Sequence, residues 1–377
     1  MSMQKTKISL VAGARPNFMK IAPIIRELDR HPNEFEWSLV HTGQHYDRDM
    51  SDVFFEELGI PKPTHHLDCG GGSHAEQTAK IMMRFEEVML KDRPDLVLVV
   101  GDVNSTLACS IVAKKMNIRV AHVEAGLRSG DMNMPEEVNR IVTDSISDYF
   151  FVTEPSGVEN LSREGHAPES IFFVGHVMID NLFFQVEKLG KMAGHRYPTS
   201  DLKDRLGRYG VVTLHRPSNV DSHENLRNII AALTEISRSL PLIFAVHPRT
   251  AQNLEKFGLV LPQTIIRTSP LPYMEFLNLW KDAKVILTDS GGIQEESTAL
   301  GVPCITLREN TERPVTVTEG TNVLVGSDYA RVMSASDQVM RGETATQRRP
   351  EKWDGHASER IIGTLREIFA KERAVSQ

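Results

Sequence analysis

An α/β fold in two domains is the architecture this sequence predicts, and three observations carry it. Short apolar runs alternate with segments of helical periodicity along most of the chain, the pattern of successive βαβ units. Several of these runs end in polar, glycine-containing stretches, as strands do at the carboxyl edge of an open parallel sheet. At 377 residues the chain exceeds one ordinary core and suits two such domains. The first is placed at 1–178 and the second at 179–357, with a closing helix at 358–377 expected to rejoin the first.

Composition narrows the function. With 40% hydrophobic and 25% charged residues, the chain is composed as water-soluble globular proteins are. The net charge is −7 and no basic block is present, which argues against nucleic acid and anionic membranes as partners. Cys69, Cys109 and Cys304 are odd in number and far apart, in no metal-ligand spacing, so they read as free thiols of a reducing compartment. The polar start, and the lack of any apolar run near the ~20 residues of a membrane span, predict a cytoplasmic protein.

Along the chain, Ile8–Ala12 reads as a buried strand, then a Gly13–Asn17 turn and a helix from about Phe18 to Arg30. The dinucleotide fingerprint G-x-G-x-x-G belongs at this turn, but only Gly13 is present, which argues against an ordinary NAD site. Arg15 and Lys20 instead bring two cations to this edge. Phe35–His41 is the second strand, and Gln44 and His45 follow it. The glycines of Asp68–Ser73 follow no apolar strand and are assigned no phosphate role. After a helix at Glu76–Lys91, the apolar strand Leu96–Val100 leads to Asp102, whose simplest role is to cap the next helix. Arg119–Val123 ends at Glu124, a carboxylate at a buried strand's end where Ser or Asn would serve structure better. Pro135 opens a helix whose dipole favours Glu136 and Glu137, and the i,i+4 spacing puts Glu136 and Arg140 on one face. Asp102, Glu124 and Glu136, with Arg15, Lys20, Arg128 and Arg140 about them, form the mixture of carboxylates and cations from which acid–base groups are tuned.

Tyr149–Val152 and Ile171–Val174 are further strands, with a Lys- and Gly-rich connection running from Gly175 to Pro198. The strand Gly210–Leu214 delivers His215 and Arg216, and Leu242–Val246 delivers His247. Pro270–Leu277 offers Phe276 as a rest for a flat base. The most informative stretch is Val285–Arg308: an apolar strand, Thr288-Asp289-Ser290-Gly291-Gly292, a helix to Leu300, Gly301 and a second strand. A lone Gly-Gly would be a tight turn with Ser290 as N-cap. At a strand's carboxyl end, however, Ser290, Gly291 and Gly292 opening a helix form an anion site, with a phosphate or diphosphate as its guest. Glu296, one turn on, faces sugar hydroxyls of the same ligand. Arg313 follows in Arg308–Pro314, Thr321–Val325 is the last strand, and Gly355–Arg373 is a closing amphipathic helix.

Together these runs resemble the non-hydrolysing UDP-N-acetylglucosamine 2-epimerases. The matching stretches are GARPNFMKIAPI (13–24), GQH (43–45), GDVNST (101–106), HVEAGLRSG (122–130), PEEVNR (135–140), HR (215–216), TDSGGIQEE (288–296) and TERP (311–314), in the family's order. The resemblance implies a glycosyltransferase type B architecture: two Rossmann-like domains with the nucleotide-sugar in the inter-domain cleft. It implies removal of the carbon-2 proton with anti elimination of UDP, then re-addition of UDP to the bound 2-acetamidoglucal. The product, UDP-N-acetylmannosamine, would feed cell-surface polysaccharide precursors. Asp102, Glu124, Glu136 and His215 match the acid–base positions, with the proton-abstracting one left open among them. Arg15, Lys20, Gln44, His45, Arg128, Arg140, Arg216, His247, Phe276, Ser290, Gly291, Gly292, Glu296 and Arg313 match substrate-binding ones. No redox cofactor or metal is implied, and the expected partners are a UDP-sugar and a second copy of the chain.

The departures concern the sugar and its regulation. His215-Arg216-Pro217-Ser218-Asn219 stands where most bacterial members read HRREN, and the loop before Pro135 is two residues shorter. Asp47 and Glu76 replace neutral and cationic groups of a second, activating UDP-sugar pocket, which predicts weak or absent activation. A hydrolysing 2-epimerase, a 2-epimerase of a modified UDP-sugar and a glycosyltransferase of this fold remain rival readings. A nucleotide-sugar sensor is the non-enzyme rival, and it gives no reason for Glu124.

Overall fold

Leu96–Val100 is apolar at all five positions because both faces of its strand are covered, as expected in a parallel sheet. Leu96, Leu98 and Val100 point into one core with Phe18, Ile21 and Ile361, whereas Val97 and Val99 point into another with Ile81, Phe85 and Met89. The computed structural model describes residues 5–44, 52–192, 194–343 and 348–375, and His45 and Asp47 lie outside them. The chain divides into two units, Met1–Asn181 with Glu351–Gln377, and Leu182–Pro350.

Among the described residues the first unit has β1 (Thr6–Ala12), β2 (Phe35–His41), β3 (His65–His66), β4 (Leu96–Val100), β5 (Arg119–Val123), β6 (Tyr149–Val152) and β7 (Ile171–Phe173). All pair in parallel, in the order β3-β2-β1-β4-β5-β6-β7. The second unit has β8 (Gly210–Thr213), β9 (Leu242–Ala245), β10 (Ile265–Thr268), β11 (Val285–Thr288), β12 (Cys304–Thr306) and β13 (Asn322–Leu324). Its parallel order is β10-β9-β8-β11-β12-β13. Each sheet therefore reverses its winding once, between β1 and β4 and between β8 and β11. Open α/β sheets bind ligands outside the carboxyl ends of such a pair. Both halves are Rossmann-like.

Two strands escape the sequence reading, β3 and β10. Both are sheet edges, where β3 needs only two residues and β10 only the apolar pair Ile265-Ile266. The first helix begins at Arg15 rather than Phe18, since Pro16 suits a first turn, where its missing N–H costs nothing.

The closing helix, Ala357–Val375, packs Ile361, Ile362, Leu365 and Phe369 into the first unit's core. Its start is held by buried Asp180, which accepts from Ala357 N (3.0 Å), Ser358 N (2.7 Å) and Ser358 Oγ (2.7 Å). Asp180→Ala leaves these donors without that acceptor and is expected to cost about 1–3 kcal/mol. An unchanged midpoint in urea unfolding would show that the apolar face alone holds the helix.

Candidate active site

Glu124 stands out by its backbone. It follows β5 with φ +70°, a left-handed conformation that costs a non-glycine residue on the order of 1 kcal/mol or more. Its carboxylate is buried and paired with Lys20 from the first helix. Gly101, at the end of neighbouring β4, has φ +68°, and a Cβ there would lie 3.0 Å from Lys20 Nζ and 3.4 Å from Glu124 Oε2. A larger residue at 101 would crowd that ion pair. Gly13 has a different reason: a Cβ would meet Ser105 Oγ at 2.2 Å.

Three side chains the sequence reading did not single out brace this edge. Asn17 accepts from Gly13 N (3.1 Å) and Ala14 N (2.9 Å) and donates to Val100 O (3.3 Å), tying the β1 turn to β4. His122 is fully buried between Asp144 Oδ1 (2.6 Å) and Gly101 O (2.8 Å). Burial alone would raise the Asp144 carboxyl, but the bonds from His122, Arg128 and Gly126 N hold it below the usual range. A histidine inside a buried strand needs such a partner, and that was the available sequence signal.

Several cations and carboxylates pair differently from expectation. Arg128 binds Glu164 through two bonds (2.8 and 2.6 Å) and Asp144 at 2.8 Å, so its guanidinium is engaged within the protein. Asp102 is no helix cap: Val103 occupies that position, and the Asp102 carboxylate pairs with Arg140. Arg140 also binds Glu137 at 2.8 Å, three residues away, while Glu136 is exposed. Glu137 is held by Ser129 N and Gly130 N as well, so it serves the loop before its helix. Arg15 stacks on Phe54, 5.2 Å from the ring centre.

A cavity of ≈ 450 Å³ opens at this edge, lined by Asp102, Glu136, Gln44, Gln77, Asn104 and Asn139, and by Gly71 and Gly72. The two glycines set aside in the sequence thus form part of a wall. An amide lattice shapes it: Ser105 N and Oγ donate to Gln44 Oε1 (2.9 and 2.7 Å), Asn104 Nδ2 donates to Gln77 Oε1 (2.8 Å), and Asn139 Nδ2 to Asp102 O (2.8 Å). Glu76 has a local reason to be acidic, because it completes a capping box with Ser73.

In the second unit, β8 and β11 pair Thr213 with Thr288 and deliver His215 and Asp289 side by side. Asp289 is fully buried and accepts from His215 N (3.1 Å), Arg216 N (2.9 Å) and Asn219 Nδ2 (3.2 Å), with His215 Nδ1 2.9 Å from Oδ1. Burial opposes its charge, yet these bonds keep the carboxyl below the usual range. The His247 ring lies 6.2 Å from that of His215, and its Nδ1 accepts from Arg249 N at the start of the helix Pro248–Lys256. Arg216 Nε is buried with no hydrogen-bond partner among the described residues.

The helix Gly291–Leu300 starts at Ser290, whose side chain makes no cap, and no acidic residue lies in its first turn. Neither glycine has positive φ, and a Cβ at either would meet nothing within 4 Å. Backbone conformation and packing therefore do not require glycine here. The pair leaves the positive helix end open. Below it, Glu296 accepts from Tyr273 Oη at 2.9 Å, and half-buried Phe276 sits on the same helix as Tyr273. Arg313 pairs with Glu295.

The model of the family described as UDP-N-acetylglucosamine 2-epimerase matches residues 26–366. The chain belongs to this epimerase family. It is 43% identical to the UDP-N-acetylglucosamine 2-epimerase of Methanocaldococcus jannaschii, over 95% of this chain and 98% of that protein. The crystal structure of the M. jannaschii enzyme in complex with UDP-GlcNAc and UDP superimposes with a TM-score of 0.79 at 42% identity, covering 96% of this chain and 99% of that one. The chain is also 39% identical to the UDP-2,3-diacetamido-2,3-dideoxy-D-glucuronate 2-epimerase of Pseudomonas aeruginosa, over 96% of this chain and all of that protein.

In this epimerase, no helix among the described residues is long and apolar enough to cross a membrane, and Cys69, Cys109 and Cys304 are buried and unpaired. Burial raises the Glu296 carboxyl to about 7, against the Tyr273 bond and helped by the Glu295 charge. A carboxyl raised in the folded state binds its proton more tightly there than in the unfolded chain. Its stabilisation is full below about 4.5 and is lost as pH rises through about 7. The ligand-free protein should lose melting temperature across that window, and Glu296→Gln should remove this part of the slope. Parallel melting curves for the two proteins would contradict it.

Proposed function

We propose that this chain is a non-hydrolysing epimerase that interconverts UDP-N-acetylglucosamine and UDP-N-acetylmannosamine for cell-surface polysaccharide precursors. The observation that carries the proposal is the open, glycine-lined helix start after β11, in a chain 43% identical to a UDP-N-acetylglucosamine 2-epimerase. Ser290, Gly291 and Gly292 hold the diphosphate, Arg15 and Arg313 offset its charge, Glu296 takes the ribose hydroxyls and Phe276 supports the base. A base removes the carbon-2 proton as the bond from carbon 1 to the UDP oxygen breaks, leaving 2-acetamidoglucal and UDP. The UDP oxygen then re-bonds to carbon 1 while carbon 2 is protonated on its other face. Asp102, Glu124, Glu136 and His215 are the proton-transfer groups, and Glu124, a buried carboxylate on a strained backbone, is the first of them to test.

The P. aeruginosa relative favours a second reading, in which the sugar is a 2,3-diacetamido uronate. Supplying each UDP-sugar separately and following the anomeric proton signals separates the two. Equilibration of UDP-N-acetylglucosamine alone supports the first reading, equilibration of the uronate alone assigns the second, and turnover of neither contradicts both. The working form is taken as a cytoplasmic homodimer, for which light scattering should give twice the chain mass; a monomer at working concentration would contradict it.

A further inference from the structure

We infer that Asp289 is the positioning residue that holds the His215 imidazole in one tautomer and one orientation. The inference rests on the proposed role of His215 in proton transfer and goes beyond it by naming what aims the ring. Asp289 enters from β11, the strand beside the one that ends at His215, so the pairing of Thr213 with Thr288 brings the two together. Its carboxylate is fully buried and surrounded by donors: His215 N, Arg216 N and Asn219 Nδ2 all point at it. Asn219 is itself fixed by a second bond to Leu307 O at 2.8 Å.

An ionised carboxylate only accepts, so the His215 nitrogen 2.9 Å from Oδ1 carries a hydrogen. Nδ1–H therefore donates to Asp289, and Nε2 is left as the atom that takes or returns a proton. The side chain is 42% exposed against 0% for Asp289, which separates the working end of the pair from its anchor. A base whose far nitrogen is oriented by a buried carboxylate is a recurring catalytic arrangement on unrelated folds. In this chain the same aspartate also pins the backbone of His215 and Arg216. Ring and loop are therefore set by one group, and a test must tell these two jobs apart.

The test combines nitrogen-15 spectra of histidine-labelled protein near neutral pH with kinetics of Asp289→Asn and His215→Ala. Wild-type His215 should show a protonated Nδ1 and an unprotonated Nε2; the opposite pattern in the wild type overturns the inference without any variant. Asp289→Asn should mix the tautomers and lower kcat by ~10²-fold or more, with KM and UDP affinity within a few-fold of wild type. An Asp289→Asn enzyme with a wild-type rate and an unmixed spectrum overturns it. So does one that loses UDP affinity in step with turnover, which marks Asp289 as a loop strut only. His215→Ala at the wild-type rate would instead refute the proton-transfer role of His215, while the tautomer spectrum still decides whether Asp289 holds the ring.

Discussion

Glu124→Gln is expected to lower turnover by ~10²-fold or more while leaving UDP affinity near wild type. The substitution keeps the shape of the side chain and removes its charge. Glu124 sits where the backbone is left-handed and the side chain is 2% exposed, a place where glycine or asparagine would fold more easily. Its Lys20 partner sets a cation against that buried carboxylate at the carboxyl edge of β5. The diphosphate site is assigned to the other unit, so UDP binding is an internal control: a general loss of folding would lower both quantities, and a lost base only one. A Glu124→Gln enzyme with the wild-type rate would remove Glu124 from the chemistry.

Gly292→Val is expected to do the reverse, weakening UDP while the fold is kept or slightly strengthened. Valine is the better helix former of the two by a few tenths of a kcal/mol, and the φ here is one it adopts freely. Outside its own helix backbone and chain neighbours, no protein atom lies within 4 Å of the new Cβ, so the added bulk starts in open space where the diphosphate is proposed to sit. Each charge-assisted bond lost is worth ~1.5–3 kcal/mol, so the affinity should fall roughly 10- to 100-fold per bond. A melting temperature at or above wild type with a much weaker calorimetric Kd is the expected pair of results. Unchanged UDP affinity would place the diphosphate elsewhere.

Most strands were legible because both sheets are covered on two faces, which turns a strand such as Leu96–Val100 into an unbroken apolar run. The edge strands β3 and β10 were not, since an edge needs little apolar length. The strand ends were legible too: Glu124 follows β5, His215 follows β8 and the Ser290–Gly292 turn follows β11, where the sequence places them. What each charged group pairs with was not. Arg128 meets Asp144 and Glu164, sixteen and thirty-six residues away, and Arg140 prefers Glu137 and Asp102 to the Glu136 that shares its face. Such choices depend on loop geometry that no local pattern encodes. Asp289 was hidden differently: in sequence it is one polar residue of a turn, and its role appears only when β8 is laid beside β11.

In the proposed reaction, one enzyme-bound cycle breaks and remakes the bond between carbon 2 and its hydrogen without releasing the sugar. Incubation with UDP-N-acetylglucosamine in D2O, followed by proton NMR, tests it most directly. The expected result is loss of the carbon-2 proton signal as both epimers accumulate as intact, carbon-2-deuterated UDP-sugars. Free sugar with UDP, or an unexchanged carbon-2 proton at epimeric equilibrium, would contradict it.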